Sequence, residues 1–228
     1  MATTSVDGST GAPSRRPPID PRRSAEAAPG TLTIVDADGL LDERAIVRAV
    51  LAGDRDAFRV LVERESPSVV RACYRVLGDL HEAEDVAQEA FVSAYRSLGT
   101  WRADGPFGAW LGRIAMRLAV RQLARRRAVA WLPSVGTDVR DDPVTSLPAS
   151  AATQPEHAAI RAERASATRR AVADLAEPYR EVVAMRFFAE RSLDEIAAAT
   201  GRPLSTIKTQ LRRGLLRLRD RLDRGSVA

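Results

Sequence analysis

The sequence predicts an all-α protein, with two helical domains joined by a flexible linker and a helix-turn-helix in the C-terminal domain. The 228 residues are 45% hydrophobic but only 5% aromatic, and Ala, Val and Leu dominate the apolar set, which favours helices over sheets. Apolar residues recur at helical spacing in two long stretches. Between these stretches lie residues 128–155, which contain four prolines and have no periodicity.

The first 40 residues are rich in Ser, Thr, Gly, Pro and Ala, and we expect a disordered tail over 1–40. Helical spacing begins at Leu41 and predicts a first domain over 41–127. Caps and turn residues divide it into five helices. These are a helix ending at Gly53, one following Asp54, one opened by Ser66-Pro67 and closed by Gly78, one over 82–98, and one over 107–127.

After the linker, a second domain is predicted over 156–224, with helix breaks at Glu177-Pro178, near Arg191-Ser192 and at Gly201-Arg202-Pro203. Ser192 and Glu195 fit a capping box at the start of a short helix. A sharp turn at 200–203 leads into a last helix with an apolar stripe. A short helix, a tight turn and a basic helix form the helix-turn-helix pattern.

Charge is concentrated in two basic blocks, which predict two polyanion-binding elements. Residues 101–127 contain seven Arg against one acid, and 201–228 contain eight basic residues against two acids. Lys208 is the only lysine, so part of the arginine content is explained by coding bias, but such a bias does not explain the clustering. The polar face of the last helix is basic, and we call it the recognition-helix surface: Ser205, Thr206, Lys208, Thr209, Arg212 and Arg213. The alternative is an ordinary helical hairpin with a solvated basic face.

The helix over 107–127 combines aromatic and basic side chains, a combination suited to single-stranded nucleic acid. Arginines recur every four residues along it, and aromatic rings cluster around the loop 101–106. We call this set the aromatic-basic surface: Trp101, Phe107, Trp110, Arg113, Arg117 and Arg121. The alternative is that Phe107 and Trp110 belong to the core.

The helix over 82–98 carries Asp85 and Gln88 opposite its apolar stripe, with Glu89 beside them. An acidic helix face is either solvated surface or a docking face for a basic partner.

Composition also excludes several classes of protein. The single cysteine, Cys73, excludes a disulfide within the chain and a cysteine-rich zinc site. With two histidines and no phosphate-binding glycine loop, no catalytic site, metal site or cofactor site is predicted. There is no apolar run of about 18 residues and no apolar signal segment. We therefore expect a cytoplasmic protein that is not an enzyme and is not inserted in a membrane.

Three runs of sequence together resemble the extracytoplasmic-function (ECF) sigma factors, the small two-domain sigma subunits of bacterial RNA polymerase. The runs are HEAEDVAQEAFVSAYRSL (81–98), WRADGPFGAWLGRIA (101–115) and SLDEIAAATGRPLSTIKTQLRRGLLRLRDRL (192–222). They occur in the order and at the spacing of that family. The resemblance covers about 42–127 and 156–224.

The resemblance implies a role for each surface. It assigns Glu84, Asp85, Gln88 and Glu89, which we call the acidic surface, to docking on the coiled coil of the polymerase β′ subunit. The aromatic-basic surface is assigned to the melted −10 promoter element, and the recognition-helix surface to the −35 element in the major groove. The implied partners are core RNA polymerase, promoter DNA and an anti-sigma factor. The alternative is a stand-alone helix-turn-helix regulator that binds duplex DNA without polymerase.

The sequence departs from the family pattern in two places. Arg117 stands where members commonly have Asn, and an arginine lacks the paired donor and acceptor of an amide. The turn before the last helix has Leu204-Ser205-Thr206-Ile207 in place of Val-Gly-Thr-Val, a milder change.

Overall fold

The computed structural model describes residues 42–130 and 155–225, which form eight α helices and one 3₁₀ turn and include no strand. The all-α prediction is confirmed. The predicted tail over 1–40 and most of the predicted linker over 128–155 lie outside the described residues. In chain order the helices are α1 (Glu43–Leu51), α2 (Arg55–Leu77), α3 (Leu80–Arg96), α4 (Phe107–Ala130), α5 (Pro155–Ala173), α6 (Tyr179–Phe187), α7 (Leu193–Thr200) and α8 (Leu204–Gly225), with the 3₁₀ turn Leu98–Thr100 between α3 and α4. None of these helices is long and apolar enough to span a membrane.

Aspartates set the starts of the first three helices. Asp42, Asp54 and Asp79 each accept a hydrogen bond from a backbone N–H in the first turn of the helix that follows, which satisfies donors that have no partner inside the helix. Gly78 ends α2 with φ of +76°, a left-handed conformation that glycine adopts without strain.

The predicted helix start at Ser66-Pro67 is wrong, because α2 continues through Pro67. Proline inside a helix lacks the N–H for one backbone hydrogen bond, at a cost of about 3 kcal/mol. Leu61, Val69 and Cys73 are nevertheless all buried on one side of α2. Their spacings of eight and four residues stay in phase only along a single helix, which packs against α3 and α4. We infer that this packing outweighs the cost of the proline.

Helices α1 to α4 form the first bundle, and a carboxylate of α1 fixes the start of α4. The Phe107 backbone N–H donates to Glu43 Oε2 at 2.7 Å, and the same carboxylate also pairs with Arg64 of α2. A carboxylate at a helix N-terminus is stabilised by the helix dipole. This contact positions the loop 101–106 and the first turn of α4, where the aromatic-basic surface begins.

Helices α5 to α8 form the second bundle and contain the predicted helix-turn-helix. The capping box at Ser192 is present in full: the Ser192 Oγ accepts from the Glu195 N–H at 3.1 Å, and the Glu195 carboxylate accepts from the Ser192 N–H at 2.8 Å. Gly201 ends α7 with φ of +68°. Ile196 of α7 and Ile207 of α8 are fully buried, so the two helices share one core.

The two bundles also pack against each other, with α4 in contact with α6 and α7. Arg75 of α2 reaches across to the turn after α6, where it donates to the Phe188 carbonyl at 2.9 Å and pairs with Glu190 at 2.8 Å. Arg127 of α4 pairs with Asp174 at the end of α5. The sequence analysis did not predict this contact between the bundles.

Loss of the α7 cap is expected to destabilise the second bundle. Ser192→Ala removes the side-chain acceptor and leaves a backbone donor of α7 without a partner, which costs about 1 kcal/mol. Urea denaturation should show this loss in the free energy of unfolding. Ser192→Thr keeps a hydroxyl and is the matched control. Equal stability of the alanine and threonine variants would contradict the role of the cap.

Candidate nucleic-acid interface

The recognition-helix surface lies along the solvent-facing side of α8. Lys208, Arg212 and Arg213 are exposed and make no ion pair with the described residues. Ser205 and Thr209 are exposed on the same side, and Thr206 is half-buried. The opposite side of α8 is anchored by Ile207 and by Gly214, which lies against Tyr179 and Val183 of α6. Lys208 and Arg212 therefore face solvent, and Arg213 lies beside the Tyr179 side chain of α6.

The acidic surface occupies the outer side of α3. All four of its side chains are exposed, and none of them makes an ion pair with another described residue. Ala83, Val86 and Ala90 are buried on the inner side, where α3 packs on α2 and α4. Two large apolar side chains, Val92 and Tyr95, are also exposed near the end of α3. The acidic surface is therefore negatively charged and has two exposed apolar side chains next to it.

The aromatic rings of the aromatic-basic surface pack as a chain of three. Trp101 meets Phe107 edge-on at 5.8 Å between ring centroids, and Phe107 meets Trp110 at 5.5 Å. Phe107 is fully buried, with 0% exposure, whereas both tryptophans are half-buried. The structure thus places Phe107 in the core, where it supports the two indole rings and is not available to stack on a base.

The arginines of this surface meet a buried carboxylate. Glu181 of α6 has a side chain only 3% exposed. Arg113 Nε lies 2.8 Å from Glu181 Oε1, Arg117 Nε lies 3.3 Å from the same oxygen, and Arg202 Nη2 lies 2.5 Å from Oε2. We call these four residues the Glu181 cluster. It joins α4, α6 and the turn between α7 and α8. Arg121 lies nearby on α4 and is exposed.

The cluster keeps Glu181 ionised in spite of burial. Burial by itself would raise the pKa of this carboxyl, but hydrogen bonds and charge from Arg113, followed by Arg202, outweigh it and hold the pKa below its ordinary value of 4.5. A charge in the interior is tolerated only when it is paired in this way.

The cluster also reaches the recognition helix. Arg202 Nη1 donates to Gln210 Oε1 at 3.3 Å, and Gln210 lies beside Thr209 and Arg213 in a groove that Tyr179 also lines. A chain of contacts therefore runs from Arg113 on α4 through Glu181 and Arg202 to Gln210 on α8.

The sequence analysis missed Glu181, Arg202, Gln210 and Tyr179. The only available signal for Glu181 was its position at the head of a run that is apolar as far as Met185. Nothing local indicated its partners, since Arg113 lies 68 residues and Arg202 lies 21 residues away from Glu181 in sequence.

Comparison with known families gives two matches, one in each bundle. Residues 61–129 match the family model of sigma-70 region 2, and residues 166–218 match that of sigma-70 region 4. The first match covers α3, the loop 101–106 and most of α2 and α4. The second covers the last eight residues of α5, all of α6 and α7, and most of α8.

Curated relatives extend the similarity over most of the chain. The ECF RNA polymerase sigma factor SigW of Bacillus subtilis is 31% identical over 176 residues, which are 77% of this chain and 94% of the relative. The RNA polymerase sigma-H factor of Pseudomonas aeruginosa is 30% identical over 191 residues, 80% of this chain and 92% of the relative. Among solved structures, CnrH in complex with the cytosolic domain of CnrY is 23% identical, with a TM-score of 0.49 over 79% of this chain and 96% of that chain.

The depressed pKa of Glu181 predicts a pH-dependent contribution to stability. The pKa of Glu181 is lower in the folded than in the unfolded chain. The stabilisation by its carboxylate is therefore complete above the unfolded-state pKa of about 4.5, and it is lost as the pH falls through the folded-state pKa. Glu181→Gln should therefore be most destabilising near neutral pH, with the difference from wild type shrinking in acid. Urea denaturation of both proteins from about pH 7 to about pH 3 measures this difference.

Glu63→Gln, at an exposed carboxylate of α2, is the matched control and should leave the free energy of unfolding nearly unchanged across the same range. A Glu181→Gln difference that stays constant with pH would mean that the carboxylate charge does not stabilise the fold.

Proposed function

Because the chain belongs to the ECF family of RNA polymerase sigma factors, we propose that its three surfaces divide promoter recognition and polymerase binding between them. The chain is a promoter-recognising sigma factor, which binds core RNA polymerase and directs transcription initiation, and its family consists of initiation factors and not of enzymes. We assign the −35 element to the recognition-helix surface, the melted −10 element to the aromatic-basic surface and the polymerase β′ coiled coil to the acidic surface.

The −35 assignment is carried by one observation: Lys208, Arg212 and Arg213 are exposed on the second helix of a helix-turn-helix. That helix enters the major groove in this motif. Arginine and lysine donate to the O6 and N7 acceptors of guanine, and Thr209 is placed to reach a base or a phosphate. Ser205 and Thr206 lie in the first turn of α8, where backbone N–H groups attract phosphate.

The −10 assignment is supported by two half-buried tryptophans beside a row of arginines. Unstacked bases bind to aromatic faces, while the backbone phosphates bind to arginines. Trp101 and Trp110 supply the faces, and Arg113, Arg117 and Arg121 supply the charge. Phe107 acts from the core by fixing both indoles. Arg117, which replaces a common Asn, contributes charge at its position and no amide pairing.

The polymerase assignment is supported by the exposed carboxylates of Glu84, Asp85 and Glu89, together with the Gln88 amide. None of these side chains is engaged by a described residue, so they are available to a basic partner. A single helix-turn-helix binds DNA weakly and in a salt-sensitive manner. Core polymerase would fix the spacing of the two DNA-binding surfaces and so make their binding additive.

Two further assignments follow from this role. Core polymerase and promoter DNA are cytoplasmic in bacteria, so we place the protein there. Members of the ECF family are often held inactive by anti-sigma factors, and we propose such a protein as a third partner.

Arg212→Ala and Arg213→Ala should each weaken binding of polymerase holoenzyme to promoter DNA by roughly 1–3 kcal/mol, with unchanged binding to core. Fluorescence anisotropy on promoter DNA and on DNA with a scrambled −35 element measures the loss. Arg219→Ala removes an exposed arginine further along α8 and is the matched control. Equal loss on both DNAs would show phosphate contact and not base recognition.

The double charge reversal Asp85→Arg/Glu89→Arg should abolish binding to core polymerase without changing helical content. Both side chains are exposed, so circular dichroism should match that of wild type. Size-exclusion chromatography with core measures the binding. Glu163→Arg, an exposed reversal on α5, is the control. A double variant that still co-migrates with core would contradict the docking assignment.

A further inference from the structure

We propose that Tyr179 of α6 is a positioning residue for −35 recognition, which holds the Arg213 guanidinium in place at one edge of the recognition-helix surface. The inference rests on the proposed function in assigning that surface to the −35 element. It adds a residue from outside α8 that orders one of the DNA-binding arginines before DNA arrives.

Arg213 lies at the edge of the recognition-helix surface that faces α6. At about 100° per residue, Arg213 and Lys208 are about 140° apart around the helix axis, so they lie at opposite edges of this surface. Thr209, Gln210 and Arg213 line a groove of about 310 Å³ together with Tyr179. Arg213 is therefore the cationic side chain of the recognition-helix surface that a residue of α6 can hold.

The position of Tyr179 is fixed by the packing of α6 on α8. A Cβ atom on Gly214 would lie 3.4 Å from the Tyr179 Cβ and 2.8 Å from the Val183 Cγ2. Because residue 214 has no side chain, the backbone of α8 approaches the first turn of α6 closely. Tyr179 is half-buried, whereas Arg213, the neighbour of Gly214, is exposed. The phenol ring is thus held by packing, and the arginine needs a polar partner to be held.

Two arginines of α8 meet the phenol of Tyr179. The Arg217 guanidinium carbon lies over the ring, 4.0 Å from its centroid, which is a cation–π geometry. Hydrogen bonds to the hydroxyl from Arg217 and from Arg213 hold the pKa of Tyr179 below its ordinary value of 10. The ring therefore anchors Arg217, and the hydroxyl accepts from both guanidinium groups.

The hydroxyl of Tyr179 also offsets a repulsion between the two arginines. Arg213 and Arg217 are four residues apart on one side of α8, a spacing at which like charges destabilise a helix. Neither arginine makes an ion pair with another described residue. A shared neutral acceptor keeps both guanidinium groups on this side without neutralising the charge that attracts DNA.

Ordering Arg213 in the free protein lowers the entropic cost of binding DNA. An arginine side chain has many rotamers, and immobilising it at an interface reduces the affinity. A guanidinium already held by Tyr179 loses less freedom when it contacts DNA. Lys208 and Arg212 face solvent on the other side of the surface, so we expect Tyr179 to act through Arg213 alone.

A double-mutant cycle tests this dependence with polymerase holoenzyme and promoter DNA. Tyr179→Phe removes the hydroxyl but keeps the ring, and it should weaken binding by about twofold to tenfold in fluorescence anisotropy. In an Arg213→Ala background the same substitution should have no further effect, whereas in an Arg212→Ala background its effect should be additive. Tyr74→Phe, which removes a half-buried hydroxyl on α2, is the matched control and should bind DNA as wild type does.

The free full-length protein gives a second measurement, which does not depend on DNA. NMR relaxation of the arginine Nε–H groups, assigned with Arg212→Lys and Arg213→Lys, reports the order of each side chain on the ps–ns timescale. Tyr179→Phe should lower the order parameter of Arg213 and leave that of Arg212 unchanged.

Three results would overturn the proposal. Equal weakening by Tyr179→Phe with and without the Arg213 side chain would show that the hydroxyl acts on DNA directly or on the whole fold. Binding of Tyr179→Phe as tight as that of wild type would show that the hydroxyl is not used, and an unchanged order parameter of Arg213 would show that it positions nothing. If instead neither Arg212→Ala nor Arg213→Ala weakens binding, the −35 assignment itself fails, and Tyr179 orders an arginine that DNA does not use.

Discussion

The buried carboxylate of Glu181 is the interaction on which the arrangement of the two bundles depends. An ion removed from water is stable only if its partners replace the lost hydration. Two of these partners, Arg113 and Arg117, come from α4, and the third, Arg202, comes from the turn that leads into α8. The same charge therefore fixes α6 within its own bundle and attaches that bundle to the other. If α4 moved away, Glu181 would retain Arg202 alone and would become hydrated.

This dependence couples the stability of the two bundles. Arg113 of α4 also donates to the Ala199 carbonyl of α7 at 3.2 Å, and Arg75 of α2 donates to the Phe188 carbonyl at 2.9 Å. Removing one partner of a buried ion pair leaves the other charge without compensation, which is strongly destabilising. A substitution at Arg113 should therefore destabilise both bundles, although Arg113 belongs to only one of them.

The sequence analysis correctly predicted the structural features that short-range interactions determine. Ser192 and Glu195 form the expected capping box, and Gly201 makes the expected turn, because both depend on residues within a few positions. The sequence analysis failed where packing between residues distant in sequence determines the local structure. Pro67 was expected to begin a helix, but the in-phase apolar residues around it keep α2 continuous. Glu181 was overlooked for the same reason, since the packing of α4 against α6 brings Arg113 and Arg117 to it.

The two bundles belong to one chain, so their contact is an intramolecular association. Joining two partners covalently raises their effective concentration, and contacts too weak to hold two separate proteins together then persist. The contact of α4 with α6 and α7 consists of a few ion pairs centred on a buried carboxylate, together with Gly108 and Gly112 of α4, which lie against Arg191. The strength of the Glu181 cluster therefore decides how firmly the two bundles are held against each other.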